Sequence, residues 1–409
     1  MNLGPSERGA AIRDAVRRMV RERIAPLDAE FHRETGAAGD RWKHSHRQTE
    51  ILESLKAEAR ELGLWNLWRT HLPGGPGINT VDYGLIAEEM GRSWLAPEVF
   101  NCNAPDTGNM EVFARYGTEE MQERWLGPLM EGRIRSAYLM TEPDVASSDA
   151  TNIAMRCEPD GDGWVLNGEK WWSTGAGDPR CAVHIVMCVT DPDGPRHGRH
   201  SMVVVPRETP GVEILRGLTV FGDDEAPHGH MHIRYTDVRV PGEAMLLGPG
   251  RGFEIAQGRL GPGRIHHCMR AIGMAEKALA LAVARGRERR AFGSDLLSLG
   301  GNAERIAEAR IQIDAARLST LRAAWEMDEA ERRTGAMKAA APYISAAKVL
   351  VPRVALEVCD MAIQLHGGAG VCQDTELARL WGHLRTLRLV DGPDAVHQRT
   401  VFRAEVPRG

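Results

Sequence analysis

Two kinds of hydrophobic pattern alternate along the chain. From residue 6 to about 132, apolar residues recur at helical spacing, as in SERGAAIRDAVRRMVRERI and TEILESLKAEARELGLWNLW, with the turn-rich HLPGGPG between helices. From about 136 to 245 the pattern changes to short apolar or alternating runs, such as CAVHIVMCVT, SMVVVP and HMHIRYTDVRVP, separated by Gly, Pro and Asp. The first stretch therefore predicts an α-helical lobe, and the second predicts a β lobe.

One dipeptide in the β lobe is typical of a hairpin. Trp164-Val165-Leu166 is followed by Asn167-Gly168. Both central positions of a type I′ turn need positive φ, which Asn and Gly adopt readily. We expect a hairpin turn at 167–168.

Helical patterns return after Gly250 and continue to the end of the chain. Two apolar faces at helical spacing are marked by Met269, Ile272, Leu279 and Val283, and by Val354, Val358, Met361 and Leu365. Four helical segments, near 250–285, 302–332, 336–365 and 374–405, are enough for a bundle, and Pro352 should kink or restart its helix. The predicted domains are 1–134 (α-helical), 135–246 (β) and 247–409 (four-helix bundle), which is an α+β multidomain protein.

Composition narrows the class of protein but does not indicate a particular reaction. The chain has 409 residues, more than one core normally holds, and a net charge of −5, too small an acidic excess to indicate a nucleic-acid partner. No apolar run is long enough for a membrane span and no secretory signal is evident, so a cytoplasmic location is expected. Seven cysteines with no CxxC pair indicate reduced, mostly buried thiols rather than disulfides or a zinc site.

Three separated segments have residue types that suit a flavin, although each also has a simpler interpretation. YLMTEPDVASSD at 138–149 can leave backbone N–H groups open to a phosphate, or can be a Ser-rich turn. KWWSTG at 170–175 has adjacent tryptophans, which on a regular strand face opposite sides, so that one can cover a planar ligand or both can simply pack. QLHGGAG at 364–370 can equally be a helix ending in a glycine turn.

Asp391 is the candidate general base. It follows the apolar Leu389-Val390 directly, so we expect it to be half-buried, and burial raises the pKa of a carboxyl group towards the useful range. The alternative is an N-cap or Asx turn before the last helix, for which Asp-Gly-Pro-Asp is well suited.

Other polar clusters have stronger structural explanations. The α–β–α order and the glycines of GPGRGFEIAQGRLGPGR at 248–264 do not fit a βαβ dinucleotide fold. His228, His230 and His232 alternate and have a spacing that could bind a metal, but we interpret them as surface strand histidines without an accompanying carboxylate, so no metal site is predicted. We interpret His266 and His267 as packing or interface residues.

In order and spacing, these segments resemble the acyl-CoA dehydrogenase family from about residue 45 to 405. The shared motifs are Tyr-x-x-Thr-Glu-Pro-x-x-x-Ser from Tyr138, Lys-x-Trp-x-Thr from Lys170, Arg-Arg-Ala-Phe-Gly from Arg289 and Gln-x-x-Gly-Gly from Gln364. The resemblance implies an N-terminal α domain, a central β-barrel-like domain and a C-terminal four-helix bundle, as a homodimer or homotetramer that binds FAD.

The resemblance also implies roles for individual residues. FAD would contact the ring-binding and pyrophosphate-binding residues Tyr138, Met140, Thr141, Ser147, Trp172, Ser173, Thr174, Pro393 and Asp394. Residues that members of the family lend to the FAD of a neighbouring subunit would be Arg289, Phe292, Gln364 and Gly368. The acyl-CoA ligand would contact Ser147, Gly261, Pro262, Gly263, Arg264 and Gly392.

The chain departs from the common family pattern at three positions. Asp391 stands where many members have a glutamate base, Pro393 where a flavin-contacting threonine is common, and Ala291 where the Arg-x-Thr-Phe pattern has threonine. Segments such as TEPDVASSDATNI and DGPDAVH are most similar to the subgroup of members 10 and 11 and their bacterial relatives, which uses an aspartate base. That subgroup is associated with long or modified acyl chains, including 4-hydroxyacyl chains processed through a phosphorylated intermediate.

The implied reaction is α,β-dehydrogenation of an acyl-CoA thioester, with Asp391 taking the α-proton and flavin N5 the β-hydride. A backbone N–H of Gly392 or Asp391 would help to stabilise the enolate, and an electron-transferring flavoprotein would be the acceptor. Three alternatives remain: a nitroalkane oxidase-like flavoenzyme, a flavin-dependent hydroxylase, against which the acidic residue at 391 counts, and a catalytically silent FAD-binding scaffold.

Overall fold

The computed structural model describes residues 1–334 and 337–406, with the side chains of 260–262 and 337–338 excepted. Its contacts divide the chain into two compact units. The helical unit comprises Met1–Asp28, Ala59–Phe100 and Gly261–Gly409, and the sheet unit comprises Ala29–Glu58 and Asn101–Leu260. Each unit is therefore assembled from separate pieces of the chain, and the predicted boundaries at 134 and 246 stay a prediction.

The helices account for the beginning and the end of the described chain, as the helical patterns predict. In chain order they are α1 Glu7–Met19, α2 Asp28–Arg33, α3 His46–Glu61, α4 Thr80–Met90, α5 Ala96–Val99, α6 Asp106–Tyr116, α7 Glu119–Met121, α8 Gly127–Met130, α9 Gly252–Glu288, α10 Asn302–Thr334, α11 Ala341–His366, α12 Leu377–Thr386 and α13 Asp394–Glu405. Short π-helical segments follow α1 and α7, at Val20–Ile24 and Gln122–Leu126.

The apolar faces predicted for the C-terminal helices are the buried ones. Met269, Ile272 and Leu279 of α9 are buried, as are Val354 and Val358 of α11. A helix stabilises a fold chiefly by burying such a face. α11 continues through Pro352 as one helix. The single segment expected at 374–405 is instead two helices, α12 and α13, because the turn that contains Asp391 and Gly392 interrupts it.

Among the described residues, the strands form one seven-stranded sheet in the sheet unit and a separate two-stranded hairpin. They are β1 Arg135–Leu139, β2 Arg156–Asp160, β3 Gly163–Thr174, β4 Cys181–Val189, β5 His200–Pro206, β6 Val212–Leu218, β7 His230–Pro241, β8 Arg290–Ala291 and β9 Ser294–Asp295. The sheet order is β1-β4-β2-β3-β7-β6, with β5 also paired to β4. β1 pairs with β4 in parallel, and β3 pairs with β2 and β7 antiparallel.

Side-chain alternation explains which face of the sheet is buried. Along β7, Met231, Ile233 and Tyr235 are buried while their neighbours are not, as the period of two requires. β4 is buried at nearly every position, which accounts for its continuous apolar run. The core of the sheet unit includes residues from both strands.

The predicted hairpin turn at Asn167-Gly168 is wrong. β3 runs without interruption from Gly163 to Thr174, and the turn that joins it to β2 is Gly161-Asp162. Gly168 has φ +142° and lies at a register shift between β3 and β7, so the positive φ makes a bulge within the strand. Asn167 hydrogen bonds across the strands to Asp237, where Nδ2 donates to the carboxylate at 3.2 Å.

All seven cysteines are free; six are buried and Cys372 is half-buried, in agreement with the prediction of reduced thiols. Among the described residues, none of the helices combines the length and apolar character that a membrane crossing requires.

Candidate active site

Asp391 lies in the turn between α12 and α13, with its backbone in the left-handed region. Its φ is +56°, and the next residue, Gly392, has φ +106°. A non-glycine residue with positive φ is uncommon, and it persists where the surrounding structure holds it. The N-cap position of α13 is occupied by Pro393, so Asp391 is not the N-cap of that helix.

Side chains from three helices hold the backbone of this turn. The Nε of Arg264 on α9 donates to the carbonyl oxygen of Asp391 at 3.1 Å. The Nε2 of His397 on α13 lies 3.2 Å from the same oxygen. The buried Lys348 of α11 donates to the carbonyl of Leu387, where the turn begins. The position of Asp391 is therefore fixed by hydrogen bonds to carbonyl groups, independently of its own side chain.

His397 is neutral in this environment. Burial lowers the pKa of His397 to about 4, and the charges of Arg264 and Lys348 act in the same direction. Because a carbonyl oxygen only accepts, Nε2 carries the proton that is donated to Asp391, and Nδ1 accepts from the Ser345 hydroxyl at 3.2 Å. A Cβ added at Gly392 would lie 3.0 Å from this Nε2, so the turn has little room for a larger residue.

The carboxylate of Asp391 is half-buried, as the sequence predicts, and faces α9. Its Oδ2 lies 3.5 Å from Nε2 of His267 and 3.9 Å from the Cβ position of Gly263. Burial lowers the pKa of His267 to about 3, and the nearby charge of Asp391 opposes this only partly. A half-buried carboxylate on a turn that is held in this way, beside a neutral imidazole, is a candidate general base.

In the sheet unit, a buried ion pair holds the first predicted flavin segment against β3. Lys170 Nζ donates to the Glu142 carboxylate at 2.8 Å and to the carbonyl of Met140 at 3.0 Å. Glu142 also accepts from the backbone N–H groups of Ala154 at 2.8 Å and Met155 at 3.0 Å. Removing one partner of such a pair leaves an uncompensated buried charge, so Lys170 and Glu142 together fix the path of 140–155.

Backbone hydrogen bonds place the predicted ring contacts beside this pair. The N–H of Trp171 donates to the carbonyl of Thr141 at 3.0 Å. Ser147 is engaged locally, because its hydroxyl accepts from the N–H of Glu142 at 2.9 Å. The guanidinium of Arg259 stacks on the ring of Tyr138, 3.9 Å from its centroid. These contacts hold the short segment that contains Tyr138, Met140 and Thr141.

The two tryptophans of β3 do not face opposite sides as a regular strand requires. Trp172 has φ +52°, and the register with β7 shifts between Lys170 and Ser173, so β3 has a bulge here. The rings of Trp171 and Trp172 are consequently neighbours, with centroids 6.2 Å apart. Bulges occur often near active sites, where they redirect a side chain.

Two buried polar atoms lie at this bulge. Ser173 Oγ and Trp171 Nε1 are buried and have no hydrogen-bond partner within the described part of the chain. Buried polar groups are normally satisfied, so an orphaned donor marks a place for a polar ligand. The next residue, Thr174, hydrogen bonds to Nδ1 of His230 at 2.9 Å. These atoms fit a polar, planar cofactor such as a flavin.

The remaining predicted FAD contacts lie in the helical unit. Asp394 begins α13, and its Oδ2 accepts from Arg388 at 2.7 Å and Arg353 at 3.0 Å. Burial acts to raise the pKa of Asp394, but the hydrogen bonds from Arg388 and Arg353 outweigh it and lower the pKa. Asp394 therefore has structural partners in this chain, and contacts of Asp394 and Pro393 with FAD stay predictions.

The residues predicted to serve a neighbouring subunit are exposed. Phe292 and Gly293 form the two-residue turn between β8 and β9, and both have positive φ. The Phe292 side chain is 98% exposed. Arg289, Gln364 and Gly368 are also exposed. A bulky aromatic residue with positive φ at an exposed tip is unusual, which is a reason to look for an interaction there.

The histidines of β7 differ from the prediction. β7 begins at His230, so His228 lies before the strand, and His230 and His232 are half-buried. Each has the carboxylate that the sequence did not indicate, because His232 Nε2 lies 2.7 Å from Glu169 and His230 Nε2 lies 3.3 Å from Glu225. Among the described residues, no group of three or more His, Cys, Asp or Glu could hold a metal ion.

Several residues around the predicted site residues were given no site role by the sequence, and His267 was interpreted only as a packing or interface residue. Contacts with a predicted site residue or its backbone are made by Glu142, Lys170, His267 and His397, and Lys348 hydrogen bonds to the carbonyl of Leu387 at the start of the Asp391 turn. A buried lysine beside a glutamate has no local signal, since the two are far apart in the chain. His267 had one available signal, because it lies three residues after Arg264 and therefore on the same helix face. The predicted CoA contacts Gly261 and Pro262 lie outside the residues whose surroundings the structure describes.

Comparison with known proteins shows to which family the chain belongs. Three family models match in the order of the chain: the acyl-CoA dehydrogenase N-terminal domain at residues 6–133, the middle domain at 137–236 and the C-terminal domain at 250–405. The chain belongs to the acyl-CoA dehydrogenase family. The family is one of FAD-dependent oxidoreductases with a helical N-terminal domain, a curled central sheet and C-terminal helices, as expected from the sequence.

Individual relatives are similar over almost the whole chain. Acyl-CoA dehydrogenase family member 11 of Gallus gallus is 49% identical over 98% of this chain, and family member 10 of Mus musculus is 48% identical over 99%. The chain covers 51% and 38% of those two proteins, about half or less of their length. A solved structure of a Mycobacterium abscessus protein assigned to the acyl-CoA dehydrogenases has 50% identity and a TM-score of 0.92, covering 98% of this chain and 99% of that one.

Proposed function

We propose that the chain dehydrogenates an acyl-CoA thioester between its α and β carbons, with Asp391 as the base. The observation that carries the proposal is the Asp391 turn, in which Arg264 and His397 fix the backbone while the half-buried carboxylate stays beside a neutral His267. Bound FAD would accept the β-hydride, and the α-proton would pass to an oxygen of Asp391, so that a trans-2-enoyl-CoA forms.

The remaining residues of the chain bind and orient. The backbone N–H of Gly392 or Asp391 is proposed to donate to the thioester carbonyl and to stabilise the enolate that develops there. Ser173 and Trp171 would satisfy their buried polar atoms on the cofactor, with Tyr138, Met140, Thr141 and Ser147 nearby in the chain and Trp172 over its edge. Gly263 and Arg264 would lie along the CoA thioester.

The acyl chain is proposed to be long or modified, for example 4-hydroxylated or phosphoryloxylated. The support is the identity of 49% and 48% to family members 11 and 10, and not a contact in this structure. An electron-transferring flavoprotein as acceptor, a role in fatty acid β-oxidation and a cytoplasmic location belong to the same proposal. The exposed Arg289, Phe292, Gln364 and Gly368 support a homodimer or homotetramer in which these residues reach a neighbouring FAD.

The test is an anaerobic titration of the FAD-loaded protein with straight, branched and 4-hydroxylated acyl-CoAs, in which flavin bleaching is followed. We expect Asp391→Asn to keep FAD but to reduce it more slowly by about 10²- to 10⁴-fold, the usual contribution of a general base. The matched control is Asp360→Asn, which alters an exposed aspartate of α11 and should bleach as the parent does.

Three other results of this titration would contradict the proposed role of Asp391 or favour one of the alternative functions. Rapid bleaching of Asp391→Asn would remove Asp391 from the role of base. Peroxide formation with a nitroalkane, without reduction by acyl-CoA, would favour the nitroalkane oxidase-like activity. Binding of FAD with no spectral change on any thioester would indicate a scaffold without catalytic activity.

A further inference from the structure

One face of α9 is directed at the turn that carries Asp391. His267 lies three residues after Arg264 and four after Gly263, which is the spacing of neighbours on one face of a helix. Arg264 reaches the backbone carbonyl of Asp391 at 3.1 Å, and His267 Nε2 reaches its carboxylate at 3.5 Å. The two side chains thus contact different parts of the same residue.

We propose that His267 is a positioning residue that sets the orientation of the Asp391 carboxylate for removal of the α-proton. This inference rests on the proposed function, since it presumes that Asp391 is the base. His267 touches the base and is not placed on the substrate, so it acts through Asp391. Arg264 and His397 fix the main chain of Asp391, which leaves the rotation of its side chain to be decided by a separate contact.

The neutral state of His267 suits this role. A full positive charge beside the carboxylate would stabilise its ionised form and weaken it as a base, whereas a neutral N–H donor orients it with a smaller effect. Burial is the main cause that lowers the pKa of His267 to about 3, and Asp391 on the facing turn acts in the opposite direction. The other charged or titratable groups that act on it include His266 and Arg270 of α9, Lys348 of α11 and His383 of α12.

The adjacent histidine shows what a packing role looks like. His266 lies edge-on to the ring of Tyr83, with centroids 4.5 Å apart, and is buried. Burial lowers its pKa well below the ordinary value. His266 thus packs against an aromatic ring, whereas His267 contacts the carboxylate of Asp391. The two consecutive imidazoles on α9 therefore differ in what they touch.

The experiment compares two replacements of His267 in the FAD-loaded protein. His267→Gln keeps an N–H donor near the position of Nε2, and His267→Leu removes the donor while keeping comparable bulk. With an acyl-CoA that bleaches the parent, we expect His267→Leu to slow flavin reduction by about 10- to 100-fold, as a misplaced catalytic group does, with little change in the concentration that half-saturates reduction. His267→Gln should stay within about threefold of the parent.

A pH profile separates positioning from a loss of packing. The acid limb of the reduction rate should move to higher pH in His267→Leu and return towards the parent in His267→Gln, because only His267→Leu removes the polar group that lies 3.5 Å from the carboxylate of Asp391. His46→Asn, which alters an exposed histidine of α3, is the matched control and should leave both the rate and the profile unchanged. A profile and rate of His267→Leu equal to those of the parent would overturn the proposal.

A second measurement does not depend on turnover. In protein labelled with ¹⁵N in its histidine rings, the His267 signal is identified by its loss in His267→Gln. We expect this signal to shift in Asp391→Asn, to report a neutral ring down to about pH 5, and to leave His46 unshifted. An unshifted His267 signal in Asp391→Asn would overturn the proposal even if His267→Leu fails to fold. A parent protein that no acyl-CoA bleaches would instead refute the proposed function, whereas the NMR comparison would still test the contact.

Discussion

The helical unit and the sheet unit hold their candidate site residues in different ways. In the helical unit, Asp391 lies on a turn whose carbonyl groups are held by the side chains of Arg264, His397 and Lys348. In the sheet unit, Thr141 and Trp171 are joined through their backbones, next to β3 and its neighbours. In the proposed function, the helical unit would position a carboxylate for proton transfer, and the sheet unit would present a fixed surface to a planar group.

The difference determines which changes should be tolerated. Ladder hydrogen bonds support β3 along its whole length. The feature of this region that is most sensitive to mutation is therefore the buried ion pair of Lys170 and Glu142. A turn has no such ladder. Its geometry therefore depends on the backbone conformation of single residues such as Gly392. Mutation of the charge pair in the sheet unit should therefore act chiefly through stability, and mutation of the Asp391 turn in the helical unit chiefly through catalysis.

The largest effect is expected for Lys170→Met. It leaves the carboxylate of Glu142 buried without its cation, which costs about 3–5 kcal/mol in other proteins. Chemical unfolding and FAD content would measure the loss. Removing both charges in Lys170→Met/Glu142→Leu should recover part of it, and Arg239→Met, which breaks the exposed pair with Asp160, should change stability by less than about 1 kcal/mol. A cost for Lys170→Met as small as that of Arg239→Met would remove the distinction drawn for the sheet unit.

The next effect is expected for Gly392→Ala. Gly392 has φ +106°, and an added Cβ would lie 3.0 Å from His397 Nε2, so the strained backbone should cost about 1–3 kcal/mol and displace the Asp391 turn. Flavin reduction should slow while FAD content is retained. Gly161→Ala is the control, because Gly161 also has positive φ but nothing lies within 4 Å of its Cβ position. If both variants reduce FAD equally slowly, turn geometry is not what positions Asp391.

The smallest effect is expected for Ser173→Ala. Its buried hydroxyl has no partner in the described chain, so the apoprotein should be no less stable, whereas FAD affinity should fall by about 0.5–1.5 kcal/mol, the value of one hydrogen bond. Isothermal titration of FAD and thermal unfolding of the apoprotein would measure the two. Ser201→Ala is the control, since that hydroxyl lies 2.6 Å from Thr190 Oγ1 and accepts from Gly250 N–H, and it should destabilise the apoprotein. Unchanged FAD affinity in Ser173→Ala would contradict the assigned place of the cofactor.

Local patterns predicted the elements well where period and burial agree. The helical face through Met269 and Ile272 and the alternation of Met231 and Ile233 are both buried as expected. The prediction of a hairpin turn failed because a residue with positive φ can belong either to a turn or to a bulge within a strand. Asn167-Gly168 has the composition of a tight turn, but Gly168 supports a bulge in a strand that continues, because pairing with β7 outweighs the local turn preference.

The amino-acid sequence by itself determined the family, the α–β–α order and the choice of Asp391 as the candidate base, because motifs and hydrophobic periods are local properties that can be counted along the chain. Only the tertiary structure decided how Asp391 is held. The contacts of Asp391 with Arg264, His267 and His397, and of Lys170 with Glu142, join residues that are separated in the chain or lie on different elements. Such contacts depend on folding the helices and strands together, which no local pattern reports.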